Sequence, residues 1–333
     1  MKMRTALVSV GLGLWLAACG STAERNGFDD GTSGGGNGNG AGAGGGQGAG
    51  SLGGGNTPAP PPETEECQKM DIIFVIDDSG SMAEEQNNLA ANFPKFVSKI
   101  ESFKTKSGAK LDYRLAVTTT ARNLTYNISV PFGGTMPMSE KGDDGAFRMK
   151  KECGTTKRWI ERTDANASSA FTCLAKAGTG GASIEMPLEA TKLALVDRVN
   201  DGTNAGFLRP DALLAVVILT DEDDCSREDN NFTIQNDRCD TMPNTQPVTH
   251  YKQVLDTAAK GEGRWATAVI AGDKQCKSSF GDAIEAKRLK DFVSLAGKNG
   301  TFSSICDGDL TVALEKALDT FDGACKTLPA PVN

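Results

Sequence analysis

Histidine is nearly absent from this chain of 333 residues, which holds one, His250. An imidazole-rich zinc site is therefore excluded, and a serine hydrolase would have to draw its base from a residue with no signature around it. Long apolar runs are scarce too: after the first nineteen positions no uncharged stretch approaches the ~20 residues that a membrane-spanning helix needs. Positive charge falls short, with 35 Lys and Arg against 43 Asp and Glu. No basic stripe is available to neutralise phosphates, so no nucleic-acid partner is expected. Among the nine cysteines there is no CxxC pair, which removes the usual spacing of a structural zinc site.

What is present begins with an export signal. Lys2 and Arg4 give a positive start, an apolar stretch runs from Ala6 to Leu16, and Leu16-Ala17-Ala18-Cys19 closes it with small residues. That last tetrad resembles the lipobox of bacterial lipoproteins. The resemblance implies a signal peptide over 1–18, removed on export, and a lipidated Cys19 as the new N-terminus. Several acyl chains, at ~0.8 kcal/mol for each buried methylene, would hold such a protein on a membrane. Gly20 stands where an Asp would imply inner-membrane retention, so the expected place is the cell envelope, as an outer-membrane lipoprotein facing the periplasm or the exterior. Residues 19–65 read as a tether. Gly31 to Gly55 is dominated by Gly with Asn, Ser, Ala and Gln, too little apolar surface to offset the entropy of ordering. A glycine-rich chain of ~40 residues has a root-mean-square span of about 35 Å, and Pro58 to Pro62 adds a stiffer piece.

The remainder, a domain over 66–326 with a tail over 327–333, is long enough for one large α/β unit. Setting Cys19 aside leaves eight cysteines: Cys67, Cys153, Cys173, Cys225, Cys239, Cys276, Cys306 and Cys325. An even count in an exported chain points to disulfides, although eight thiols admit on the order of 100 connectivities.

Hydrophobic patterning predicts alternating strands and helices. Asp71 to Ile76 is a short apolar run, the mark of a strand buried on both faces. Leu89, Phe93, Phe96, Val97, Ile100 and Phe103 recur at helical spacing, predicting a helix from about 83 to 103 that Pro94 should kink or break. A strand over 111–119 follows. Then comes an illegible stretch from 120 to 181, expected to hold a short strand near 127–130 and an insertion closed by Cys153 and Cys173. Beyond it the pattern predicts a helix over 185–199, a central strand over 213–219, a helix near 250–260 and a strand over 265–271. A helix over 283–296, a strand over 301–305 and a helix over 310–321 end the series. The expected fold is Rossmann-like: a doubly wound, mostly parallel sheet flanked by helices.

In such sheets ligands bind beyond the carboxyl ends of the strands. After the first strand stands Asp77-Asp78-Ser79-Gly80-Ser81-Met82, and after the central strand Thr220-Asp221-Glu222-Asp223-Asp224. Carboxylates and hydroxyls are hard donors that suit Mg, Mn or Ca. Helix capping would explain the first cluster alone, but not the second. Phe74 to Met82 resembles the D-x-S-x-S signature of the metal-ion-dependent adhesion site in von Willebrand factor A domains, and Val217 to Asp221 is similar to that family's later aspartate. The resemblance covers about 70–321. It implies metal contacts from Ser79 and Ser81, with Asp77 and Asp221 binding directly or through water. The family's middle ligand is a threonine, for which Ser183 sits nearest the expected position, with Thr179 as a second candidate and Glu185 as a carboxylate substitute. Asp223 and Asp224 are candidates for a second Ca site or for a plain acidic loop.

The resemblance further implies one divalent cation, a coordination position kept for an acidic side chain of a protein partner, and a role in adhesion or assembly, with a metal-independent envelope scaffold as the alternative. Catalysis is not expected, since a phosphatase of the haloacid dehalogenase type would need a second acid where Ser79 stands; a metal-dependent hydrolase stays as a further alternative. The fold so implied brings the domain ends together, pairing Cys67 with Cys325. It also pairs Cys225 with Cys239 and Cys276 with Cys306, leaving Cys153 with Cys173.

Overall fold

The computed structural model describes residues 67–105, 108–236, 238–239, 242–278 and 281–332. The chain divides into two units, 1–58 and 59–333, and the described residues all lie in the second. The export signal, Cys19 and the tether lie outside them. No helix among the described residues is long and apolar enough to cross a membrane.

Strand β1 (Lys69–Ile76) is the hub of a six-stranded sheet. Parallel partners flank it: β2 (Asp112–Thr119) on one side and β6 (Leu213–Leu219) on the other. β8 (Trp265–Ala271) pairs parallel with β6, and β11 (Gly300–Ser304) with β8. Only β5 (Ile160–Glu161), on the far edge of β2, runs antiparallel. The continuous apolar runs are explained by this position, since alternate side chains of a central parallel strand enter two different cores. Ile72, Phe74 and Ile76 point into one, Ile73 and Val75 into the other.

The first core lies under α1 (Ala83–Ser102), α2 (Ala167–Ala175) and α7 (Leu310–Cys325). Phe74 meets Phe93, Phe96 and Phe171 there, with ring centroids 4.7 to 5.6 Å apart in edge-on geometry, the arrangement aromatic quadrupoles favour. Helix α1 runs without a break through Pro94, contrary to a stop at that residue. The aromatic packing of Phe93 and Phe96 on either side holds the helix against the loss of one amide donor.

The second core is covered by α3 (Pro187–Lys192), α5 (Val248–Ala258) and α6 (Lys287–Leu295). A π turn over Leu193–Asp197 and the short α4 (Arg198–Asn200) continue α3. The Asn204 side chain donates to the Ala194 carbonyl inside that wide turn.

The stretch least legible by pattern holds regular structure. A hairpin of β3 (Leu124–Ser129) and β4 (Thr135–Glu140) is joined by β7 (Thr233–Ile234) in a small second sheet. This sheet closes a satellite core of Leu124, Tyr126, Ile184, Met186, Phe232 and the Cys225–Cys239 bridge. A further hairpin, β9 (Cys276–Ser278) with β10 (Gly281–Ala283), follows β8. The disulfides among the described residues are Cys67–Cys325, Cys153–Cys173, Cys225–Cys239 and Cys276–Cys306, the pairs that the family resemblance implies.

Candidate metal centre

Three parallel strands deliver polar residues to one end of the sheet: Asp77 after β1, Thr120 after β2, and Thr220 and Asp221 after β6. Their backbones remain in ladder register, with Asp77 N donating to Leu219 O at 2.9 Å and Thr120 N to Ile76 O at 3.2 Å. Asp77 is fully buried. Its Oδ1 accepts from the Ser79 amide at 2.8 Å and its Oδ2 from the Thr220 hydroxyl at 2.7 Å. The loop that follows turns the Ser79 and Ser81 hydroxyls to within 3.0 Å of each other. Ser79 is buried and Ser81 exposed, so the cluster reaches solvent past Ser81.

Glu185 is the third element of the cluster. Its carboxyl is fully buried, Oε2 accepts from the Thr120 hydroxyl, and Oε1 has no donor. The Asp77 carboxyl stands beside it, and burial, then Asp77, push the Glu185 pKa well above the usual carboxylate range. Asp221 is buried with Oδ1 unpartnered; desolvation first and the Asp77 charge second lift its pKa to about 8, against a hydrogen bond from Ser81. Asp78, also buried with an unpartnered Oδ1, is raised to about 7 by burial despite the charge of Arg148.

Buried acids elsewhere in the domain are provided for. Asp71, at the opposite end of β1, is held by Arg209 at 2.7 Å. Glu189 meets Lys192 at 3.2 Å and the Tyr251 hydroxyl at 2.9 Å. Asp224 accepts from Arg288 at 3.0 Å and from the Leu188 amide at 3.1 Å, and Asp223 accepts from the Arg288 and Leu289 amides at the start of α6. Among the described residues, the buried acids with donorless oxygens are Asp78, Glu85, Glu185 and Asp221. All four act electrostatically on Asp77 or feel its charge. A buried oxygen without a donor is costly, and several crowded carboxylates repel. A divalent cation removes both penalties, so the donor set of hydroxyls and carboxylates fits one. No group of three or more His, Cys, Asp or Glu side chains is drawn together as a ready metal cage among the described residues; a cation here would rest on two carboxyls, Asp77 and Asp221, and on the Ser79 and Ser81 hydroxyls.

Several expected residues stand elsewhere. Ser183 is exposed and donates its hydroxyl to Glu140 at 2.6 Å, because the satellite sheet offers that carboxylate. Its loop neighbour Glu185 faces Asp77 in its place. Thr179 is exposed on the loop over Gly178–Gly181. Asp223 accepts from amides at the start of α6 and Asp224 from the Leu188 amide and the Arg288 guanidinium, a structural polar network where a second Ca site and a plain acidic loop were the two candidates.

Residues with a share in the cluster went unread in the sequence. Thr120 and Thr220 aim the two buried carboxyls; the only hint was threonine closing each apolar strand. Gln86 clasps the cluster from α1, its Nε2 donating to the Asp77 carbonyl at 2.9 Å while its Oε1 accepts from the Gly178 amide at 2.9 Å. Gly181 lies so close that a Cβ there would fall 2.2 Å from Asp78 Oδ1.

No family model matches the chain, and no curated protein matches it. Among solved structures, the chain is similar to proximal thread matrix protein 1 from the mussel byssus, at 14% identity and a TM-score of 0.39 over 79% of this chain and 47% of that one. A second structure of that protein, described as having a zinc-occupied MIDAS motif, matches at 13% identity and a TM-score of 0.38, with the same coverage. The pilus adhesin SpaC from Lactobacillus rhamnosus GG matches at 11% and 0.41, over 79% of this chain and 31% of the adhesin. The chain spans less than half the length of each of these structures.

Proposed function

We propose that this chain is a cation-dependent protein-binding module, an adhesion or assembly domain of the von Willebrand factor A type displayed from the cell envelope on a lipid-anchored tether. One observation carries the reading: donorless buried carboxylate oxygens of Asp221 and Glu185 gather around Asp77 and two serine hydroxyls where β1 and β6 end. Ser79, Ser81, Asp77 and Asp221 would hold Mg, Mn or Ca, with Glu185 behind Asp77. The bound ion supplies a Lewis-acidic position for an oxygen donor of the partner, and the sequence resemblance makes that donor an acidic side chain. The protein's own groups do the rest: the threonines fix the carboxyls, and exposed Ser81 leaves a path from solvent.

An enzyme is not part of this reading. The one imidazole, His250, faces Glu228 at 3.3 Å. A metal-independent scaffold has no observation that favours it over cation binding.

Calorimetric titration of the purified protein with Mg, Mn and Ca tests the reading. About one equivalent should bind, and Asp77→Ala should weaken uptake by ~100-fold or more, since it removes a buried ligand. Partner capture from cell envelopes should be lost in chelator. Absence of uptake for all three ions, or capture that ignores both chelator and Asp77→Ala, would falsify it.

A further inference from the structure

The apolar row of the β3–β4 hairpin is longer than the core beneath it. Alternate residues of a strand share a face. On the inner face Leu124 and Tyr126 are buried in the satellite core, and Ile128 and Met138 pack at its margin. Met136, opposite Ile128, and Val130, next along the row, are exposed. Beyond them the Val130 amide donates to the Gly134 carbonyl at 3.2 Å and closes a turn. Phe132 stands in that turn and is, among the described residues, the most exposed of the large apolar side chains. Its φ of 70° lies in the left-handed region, which disfavours a bulky side chain, although Gly133 and Gly134 follow directly. A ring held outward in a strained conformation, with no gain from burial in its own chain, serves something outside that chain.

Two uses are disfavoured. Strand addition along β4 meets Pro137. The Asn127 amide donates to the Phe232 carbonyl beside β7, so Asn127 and Pro137 form a non-hydrogen-bonded pair. The proline nitrogen therefore faces the open edge, where it offers no donor. Insertion in a bilayer meets no basic rim, because from Asn123 to Ser139 the chain has no charge of either sign, and its net charge is -8.

The same small sheet offers a seat for the ring. A cavity of about 410 Å³ opens between Ser129 of β3, Thr233 and Ile234 of β7, and Met242 with Pro243. Ile234 and Met242 belong to the satellite core, so the floor is apolar, and the described lining residues are uncharged. A cavity of ~150 Å³ already takes a benzene ring. Ser129, on the cavity wall, is three positions from Phe132 in the chain. Knob and cavity thus share one patch, the self-complementary arrangement that a two-fold pair requires. The uncharged strip is also where two molecules of net charge -8 meet without direct repulsion.

We propose that the hairpin end is a self-association site, at which Phe132 of each copy seats in the cavity beside β7 of the other. Val130 and Met136 are covered in the same contact. Two such insertions, with the lining that covers them, bury on the order of 1,000 Å², the small end of specific interfaces. The pair is therefore weak and reversible, and it does not depend on the cation site.

Sedimentation velocity over a concentration series of the purified protein tests this, in chelator so that no cation bridges two molecules. The wild type should pass from monomer to dimer as concentration rises. Phe132→Asn removes the ring and places in the left-handed turn a residue that accepts it; it should weaken the dimer ~30-fold or more, as loss of a central aromatic anchor does. Thr233→Arg, at an exposed position on the cavity wall, should do the same from the other side. Mixed together, the two variants regain one of the two insertions, so a heterodimer should form at concentrations where neither variant pairs with itself. Both substitutions fall on exposed side chains, and circular dichroism should report the wild-type fold. A wild type that stays monomeric at every concentration overturns the proposal, and so does a dimer that Phe132→Asn leaves unchanged. A monomer that instead binds phosphatidylcholine vesicles through Phe132 also overturns it and makes the hairpin end a membrane contact.

Discussion

Glu85 lies in the first turn of α1 with both carboxylate oxygens buried and without donors. Burial first, and then the charges of Glu84, Asp77 and Asp282, raise its pKa to about 7. A carboxyl whose folded pKa exceeds its unfolded value binds more protons in the native state. Its stabilising contribution is complete below the unfolded value and is lost as pH rises through the folded one. Asp78 and Asp221, raised to about 7 and about 8, act in the same direction. In chelator the melting temperature should therefore fall between pH 5 and pH 8, by roughly 5 °C or more. Glu85→Gln should flatten that slope, and added cation should offset the part due to Asp221 by favouring its charged form. A melting temperature that climbs across this interval in chelator would mean that these carboxyls are ionised in the apo protein, and that no cation is needed to quiet them.

At the level of elements, the strands were legible because each lies between two cores and so reads as an unbroken apolar run; β1, β6 and β8 match their expected ranges within two residues. The hairpin of β3 and β4 was not, since its strands are half exposed and its partner β7 arrives from over ninety positions later. The same long-range assembly hid the site's third acid. Ser183 and Glu185 are two residues apart, and only the satellite core, built partly from Phe232 and Ile234, decides which of them faces Asp77. The acidic run after β6 was legible as a cluster but not as two functions, because Arg288 and the start of α6 come from far along the chain. Asp221 belongs to the candidate metal centre, while Asp223 caps α6. Asp223→Ala should therefore cost about 1 to 2 kcal/mol, the range for a lost helix cap, measurable by denaturant unfolding. Cation stoichiometry should not change. Loss of a bound equivalent in this variant would restore a metal role to the loop.

The whole domain is polar in its construction, with one end of the sheet closed for stability and the other furnished for binding. Cys67 and Cys325 bridge the two domain ends, and the Cys67 amide donates to the Cys325 carbonyl at 3.0 Å. This staple stands before β1, an eight-residue strand away from Asp77, a separation of roughly 25 Å at about 3.3 Å per residue. Cys225–Cys239 and Cys276–Cys306 sit instead in the segments that follow β6, β8 and β11, at the end that carries the cluster. Removing the first bridge by Cys67→Ser with Cys325→Ser frees a loop closed over 258 positions. That should lower stability by about 2 to 5 kcal/mol while leaving cation affinity unchanged in the folded protein. Removing Cys225–Cys239 loosens the satellite core that turns Glu185 inward, so cation affinity should fall more steeply than stability does. Calorimetry and denaturant unfolding on the two paired variants measure both quantities. If the first pair of substitutions weakens cation uptake as much as the second, the binding end is not mechanically separate from the closed end, and the anchoring ascribed to the satellite core is wrong.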